Sequence, residues 1–249
     1  MAVQTKGLCK YCGKEYTKSG MLRHLQACKK RSAKLTEEKR KRICQYFQVV
    51  ITGKYQKDYW LIVEASENTT LKELDWFIRD IWVECCEHLS AFTIHGEQYE
   101  SNPDTDSFWG KPSRNMNYRL KDVVDVGDNF LYEYDFGSTT ELTIKVVDFY
   151  KAPEQKENVT ILSRNNPIQF TCSVCGKNPA VWIDPIKMYN EDPFWCEECL
   201  EKYENGELDE EIEVEESGYL LPVTNSPRMG VCGYEGSDFY PNQFEPDDM

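Results

Sequence analysis

Strand-forming segments on both sides of one long amphipathic helix predict an α+β chain, a central antiparallel-sheet roll with one main helix. Two short flanking segments each carry four Cys or His residues in paired spacing and too few apolar residues for a core of their own. They predict a small amino-terminal zinc finger and a carboxy-terminal zinc ribbon. The expected order is finger 1–31, basic linker 32–43, α+β domain 44–168, ribbon 169–202 and an acidic segment 203–249.

The finger rests on Cys9-x2-Cys12-x11-His24-x3-Cys28. The first pair fits a tight turn ending at Gly13, and the second pair, four apart, shares one helical face, so the four side chains can close a tetrahedron. Tyr16 and Met21 or Leu22 stand where a small finger keeps its few core residues. The pattern resembles the two-Cys, two-His finger family, with cysteine as the last ligand and one residue fewer than usual between the pairs. A basic, helix-favouring stretch, Ser32 to Arg42 with Thr36 as a candidate cap, follows.

In the central segment, Tyr46 to Ile51 and Tyr59 to Val63 alternate like two antiparallel strands. Thr70 can cap a helix over Leu71 to Val83, in which Leu71, Leu74, Phe77, Ile78, Ile81 and Trp82 form one apolar face. Trp60, Trp76 and Trp82 are read, with Phe77, as core. Short strands at Ala91 to Ile94 and Gln98 to Tyr99 flank a turn at His95-Gly96, which leaves His95 exposed. Asn102 to Asn115 reads as loop, Leu120 to Val124 as one helical turn, and Asn129 to Tyr134 and Leu142 to Phe149 as strands.

The ribbon carries Cys172-x2-Cys175-x20-Cys196-x2-Cys199, two CxxC knuckles at ribbon spacing, with Gly176 for the sharp turn after the first. Four thiolates leave no position for water, so the site is structural rather than catalytic. A redox role for either CxxC is the weaker alternative, because neither follows a βα unit. From Glu201 onward fourteen acidic residues face only Lys202 and Arg228. Within that segment Tyr219 to Gly236 is apolar enough to dock back on the body.

The eleven cysteines are odd in number, and six lie in CxxC pairs, which favours metal ligation over a disulfide framework. Cys44, Cys85, Cys86 and Cys232 are left as reduced packing residues. The net charge of −14 is unevenly spread: residues 1–44 hold thirteen Lys or Arg against Glu15, Glu37 and Glu38, or +10, and the remainder is −24. No long apolar run or apolar leader is present, so no membrane contact and a cytoplasmic location are expected.

Thr70-Leu71-Lys72-Glu73-Leu74, His88-Leu89 with Phe92, Gly96 to Tyr99, and above all Phe130-Leu131-Tyr132-Glu133-Tyr134-Asp135-Phe136-Gly137 resemble the plasmid pRiA4b ORF-3-like family, also labelled insertion-element passenger proteins of the TnpR type. Leu162 to Asn165, the ribbon, and Asn225 to Tyr234 look like a branch with an added finger and ribbon. The resemblance implies a compact α+β roll and no settled activity. Members commonly follow the Tyr-Asp-Phe-Gly run with Asp, Trp and His, where this chain has Ser138, Thr140 and Leu142, so any activity resting on that histidine is absent here.

The preferred reading is a non-enzymatic protein with two structural Zn2+ ions, associated with nucleic acid through phosphate contacts from Arg23, Lys29, Lys30, Arg31, Lys39, Arg40, Lys41 and Arg42. One finger reads too few base pairs for sequence specificity. The basic end equally suits an acidic protein, and the acidic body a basic one, as in an adaptor of a mobile-element or defence system. A hydrolase-like enzyme with a cleft at His88 and Asp135 is the remaining alternative; its bland counterpart makes His88 a hydrogen-bonded structural residue and Asp135 a turn cap before Gly137.

Overall fold

The computed structural model describes residues 4–38, 41–103, 112–189, 193–208, 219–240 and 243–244. The chain forms two compact units, residues 1–166 with 237–249, and residues 167–236. The fold is mixed α+β, mostly sheet with few helices.

In the first unit β1 (Lys6–Leu8) and β2 (Glu15–Thr17) make a hairpin that leads directly into α1 (Lys18–Ala27). Thr17 caps that helix, its hydroxyl accepting from the Gly20 N–H. After Cys28 alone, α2 (Lys29–Glu37) begins, so the basic stretch is helical and starts before residue 32. Then come β3 (Ile43–Gly53) and β4 (Trp60–Ser66), which pair antiparallel. The main helix, α3 (Leu71–Ile78), opens with a capping box: Thr70 accepts from the Glu73 N–H, and the Glu73 carboxylate accepts from the Thr70 N–H. The expected α-helix to Val83 stops at Ile78 and continues as a wider π-type turn over Arg79–Val83, whose Ile81, Trp82 and Val83 remain buried.

Next in order are β5 (Ser90–Ile94), β6 (Glu97–Glu100), β7 (Arg114–Asn115), α4 (Leu120–Val123), β8 (Asn129–Tyr134), β9 (Thr140–Pro153) and β10 (Val159–Arg164). The sheet runs β10-β4-β3-β9-β8-β5-β6-β7. Of the expected loop, Arg114–Asn115 pairs parallel with β6, and 104–111 lie outside the described residues. β9 runs four residues beyond Phe149 at its carboxyl end, because β3 accompanies it as far as Pro153.

Pairing register assigns the two faces. Leu61, Val63, Ile51, Ile144 and Tyr132 share one, buried under α3, where the Tyr132 hydroxyl donates to Asp75 at 2.8 Å. Trp76 lies on the far side of α3 and is 53% exposed beneath the Lys72 ammonium, so it is not core; Trp60, Trp82 and Phe77 are.

Val50, Trp60, Ile62 and Glu64 point to the opposite face. Two β-bulges redirect side chains there: Leu162 falls between paired Ile161 and Ser163, and Val147 between paired Val146 and Asp148. Both pack on one cluster with Cys9, Met21, Leu25, Cys28, Val50, Trp60 and Ile62. The finger's core is therefore continuous with that of the sheet. Lys10 N–H donates to the Leu162 carbonyl at 3.0 Å, and Asn166 N–H to that of Lys6 at 2.7 Å.

In the second unit β11 (Trp182–Ile183) pairs with β12 (Phe194–Trp195), which precedes α5 (Glu197–Glu204), and with β13 (Leu221–Pro222). The Tyr219 to Gly236 segment, expected to dock on the body, is thus part of the ribbon's own unit. Among the described residues no helix is long and apolar enough to cross a membrane.

Candidate metal centres

Both sets of four ligands converge. The donor atoms of Cys9, Cys12, His24 and Cys28 lie within 4.8 Å of one another, as do those of Cys172, Cys175, Cys196 and Cys199. Zinc bonds to sulfur and nitrogen set tetrahedral edges of roughly 3.5–3.8 Å. The Cys12 Sγ to His24 Nε2 distance is 3.2 Å and the Cys175 Sγ to Cys196 Sγ distance 3.9 Å, so each set fits one ion after small adjustments.

The two first knuckles are built alike. Gly13 N–H donates to the Cys9 carbonyl and Gly176 N–H to the Cys172 carbonyl, each at 2.9 Å, and both glycines are left-handed, at φ 69° and 63°. A side chain there would be strained although the space is open. In the finger, α1 supplies His24, whose ring stacks on Tyr16 at 4.3 Å, and Cys28 sits where α1 gives way to α2. In the ribbon, Cys196 immediately precedes α5 at its N-cap position and Cys199 lies in its first turn, with Trp195 packed beside them.

Burial pushes the Cys9 thiol up to about 11 and raises that of Cys199. The half-buried Cys175 is drawn down to about 6, first by the Asn178 N–H and then by that of Lys177. Such sets release protons when a cation joins them.

The basic residues divide. Arg23, Lys29, Lys30 and Arg42 are exposed, and Lys41 is exposed but paired with Glu38 at 3.2 Å. Lys39 and Arg40 lie outside the described residues. Arg31 is buried, and it leaves the expected phosphate-contact set: it donates to the Leu25 carbonyl at 3.1 Å, sits 3.6 Å from the buried Glu64 and covers the Tyr150 ring. Burial raises the Glu64 carboxyl despite Tyr150 and Arg31. Missed in sequence was a cleft of about 490 Å³ between α1 and the sheet, lined by Lys18, Lys54, Lys57 and Lys145 with no acidic lining residue among those described. Those lysines come from α1 (Lys18), the turn between β3 and β4 (Lys54 and Lys57) and β9 (Lys145), far apart along the chain, and meet only in the folded unit. Lys54 is tied to Glu141 at 2.5 Å, while Lys18 donates to Thr52 at 3.4 Å and is lowered by burial and then by Lys57.

The His88 Nε2 and Asp135 Oδ2 atoms are 3.6 Å apart, and His88 borders a groove of about 590 Å³ with Arg79, Glu84 and Glu87. Asp135 is left-handed at φ 62° and accepts from the Gly137 N–H at 3.0 Å, as expected of a turn cap. His95 is exposed and meets Asp128 at 2.9 Å. None of the four remaining cysteines is a core residue: Cys44 and Cys85 are half-buried, and Cys86 and Cys232 are exposed.

The model of the plasmid pRiA4b ORF-3-like protein family matches residues 45–169. The chain belongs to that family. The match covers α3 and all but the outermost residues of the large sheet and leaves out the finger and all four ribbon cysteines. A crystal structure of a protein of unknown function from Methanosarcina mazei Go1 is similar at 17% identity and TM-score 0.41, over 49% of this chain and 69% of that one. No curated protein matches the chain.

Proposed function

We propose that this member of the pRiA4b ORF-3-like family is a non-enzymatic protein with structural zinc in its finger and ribbon, which holds nucleic acid by its phosphates on the finger side of the sheet. The observation that carries the reading is the cleft shared by α1 and the sheet, where Lys18, Lys57 and Lys145 converge. Arg23, Lys29 and Lys30 extend the cationic surface along the finger. The shared core holds these groups in fixed spacing, which favours a polyanion over a single small anion. Residues 45–249 sum to −24 even with Lys54, Lys57 and Lys145 counted among them, so a phosphate backbone is repelled away from the cleft. All four ribbon ligands are cysteine and the finger set is complete, so the metal's part is to hold these modules folded.

The test is a salt titration of duplex and single-stranded oligonucleotide binding, read by fluorescence anisotropy. For duplex DNA, the Arg23→Ala, Lys29→Ala, Lys30→Ala triple variant lowers the slope of log K against log salt by about 2–3, close to one per lost phosphate contact. Absence of binding to any oligonucleotide at low salt removes the proposal.

A further inference from the structure

A third set of metal-ligand side chains lies within the family's own domain. The donor atoms of Cys85, Cys86 and His88 sit within 4.8 Å of one another. Neighbouring residues in an extended strand point to opposite sides, so three donors in a span of four residues meet only if the chain doubles back. Glu87 does this, in the left-handed region at φ 56°, where a residue with a side chain carries a cost of roughly 1–3 kcal/mol that surrounding contacts must offset.

Those contacts are present on every side of the turn. The Glu84 carboxylate accepts from the Glu87 N–H at 2.6 Å, from Arg79 at 2.7 Å and from the Tyr134 hydroxyl at 2.9 Å. The same hydroxyl accepts from the His88 N–H at 3.3 Å and lies 3.5 Å from that of Cys85. Arg79 also donates to the His88 carbonyl at 2.6 Å and is itself held by Asp75 at 2.9 Å. The π-type turn over Arg79–Val83 leads straight into the segment and sets where it leaves the helix. The half-buried imidazole has Asp135 at 3.6 Å from Nε2, a carboxylate placed to orient the ring.

We infer that Cys85, Cys86 and His88 bind a third metal ion, a divalent cation of the Zn2+ class, with a fourth position for water or a further donor. Two thiolates and an imidazole suit zinc and its spectroscopic substitute cobalt, and disfavour magnesium or calcium, which take oxygen ligands. The backbone bonds hold the turn before any ion arrives, so the site needs little reorganisation on binding. Its residues belong to neither of the two four-residue sets, and it stands or falls without the nucleic-acid reading.

The test is metal stoichiometry of the full chain, purified under reducing conditions, loaded with Zn2+ and measured by native mass spectrometry. The Cys85→Ser, Cys86→Ser double variant is expected to hold one Zn2+ fewer than the parent chain. His88→Gln weakens that same equivalent at least tenfold against a chelator, with unchanged circular dichroism. With Co2+ in place of zinc, the double variant loses part of the near-ultraviolet thiolate-to-metal absorption. Cys172→Ser, which empties the ribbon, leaves the His88-dependent equivalent in place. Equal zinc content in the parent and the double variant, or Cys85 and Cys86 recovered from the reduced, zinc-loaded protein as a mutual disulfide, overturns the inference.

Discussion

Gly7→Ala would place a methyl carbon 2.1 Å from the Arg164 carbonyl oxygen and 2.7 Å from the Trp60 ring. The oxygen belongs to the backbone of β10, which β4 pins by antiparallel pairing, so it cannot yield as a flexible side chain would. The Trp60 ring is 1% exposed, and its indole N–H donates to Thr5 at 2.9 Å. Relief therefore requires β1 to lift away from β10, with loss of the bridge between Gly7 and Asn165. Overpacking of a filled site costs about 1–3 kcal/mol, and a lost backbone hydrogen bond about 1 kcal/mol more, giving an expected destabilisation of about 2–4 kcal/mol. Urea unfolding followed by tryptophan fluorescence measures it, and hydrogen exchange should show faster exchange at Lys10 and Asn166, whose N–H groups bind across the junction. A variant within about 0.5 kcal/mol of the parent, the range of an ordinary surface substitution, with unaltered exchange there, would refute the fused core of finger and sheet.

Arg31→Met strands Glu64 in a site where its side chain is 1% exposed, and at neutral pH this should cost about 3 kcal/mol. Because burial raises the folded Glu64 carboxyl above 4.5, its contribution is fully retained below that value and lost as pH rises through the folded one; the variant's deficit in chemical denaturation should grow in that direction, and a deficit independent of pH would count against the pairing. Thr70→Ala removes the cap of α3 and should lower stability by about 1 kcal/mol. The Glu73 carboxyl, which burial would raise, is instead held low by the Thr70 N–H and hydroxyl; the stability it adds is present above 4.5 and lost as pH falls through its folded value, so Glu73→Gln should approach the parent under acid in a thermal melt. Cys172→Ser should abolish protection from hydrogen exchange in residues 167–236 while β3 and β4 stay protected, since the two units have separate cores; simultaneous loss of both would argue for one cooperative unit.

Local chemistry accounts for what could be read along the chain. The Thr70 cap, the glycines after each first knuckle and the alternation in β3, β4 and β8 act over a few residues, and each appears where the sequence places it. The donor atoms of both four-residue Cys/His sets also lie together. Cys85, Cys86 and His88 carried a weaker signal, three donors in four residues. It was obscured because a helix expected to run to Val83 leaves no cue for the π-type turn that follows Ile78. Arg31 looked like one more cation in a basic run, and nothing local distinguishes it from Lys30; only the arrival of Glu64 and Tyr150 on the sheet draws it inward.

The sequence by itself determined the two four-residue Cys/His groupings, the charge division and the order of strands around one helix, because these follow from residue type and short-range periodicity. Tertiary structure alone decided that the finger shares its core with the sheet, that Lys18 of α1, Lys54 and Lys57 of the β3–β4 turn and Lys145 of β9 line one cleft, and that Arg31 is internal. The reason is pairing register: the bulges at Val147 and Leu162 turn two apolar side chains toward the finger, and a shift by a single residue reverses every face of a strand.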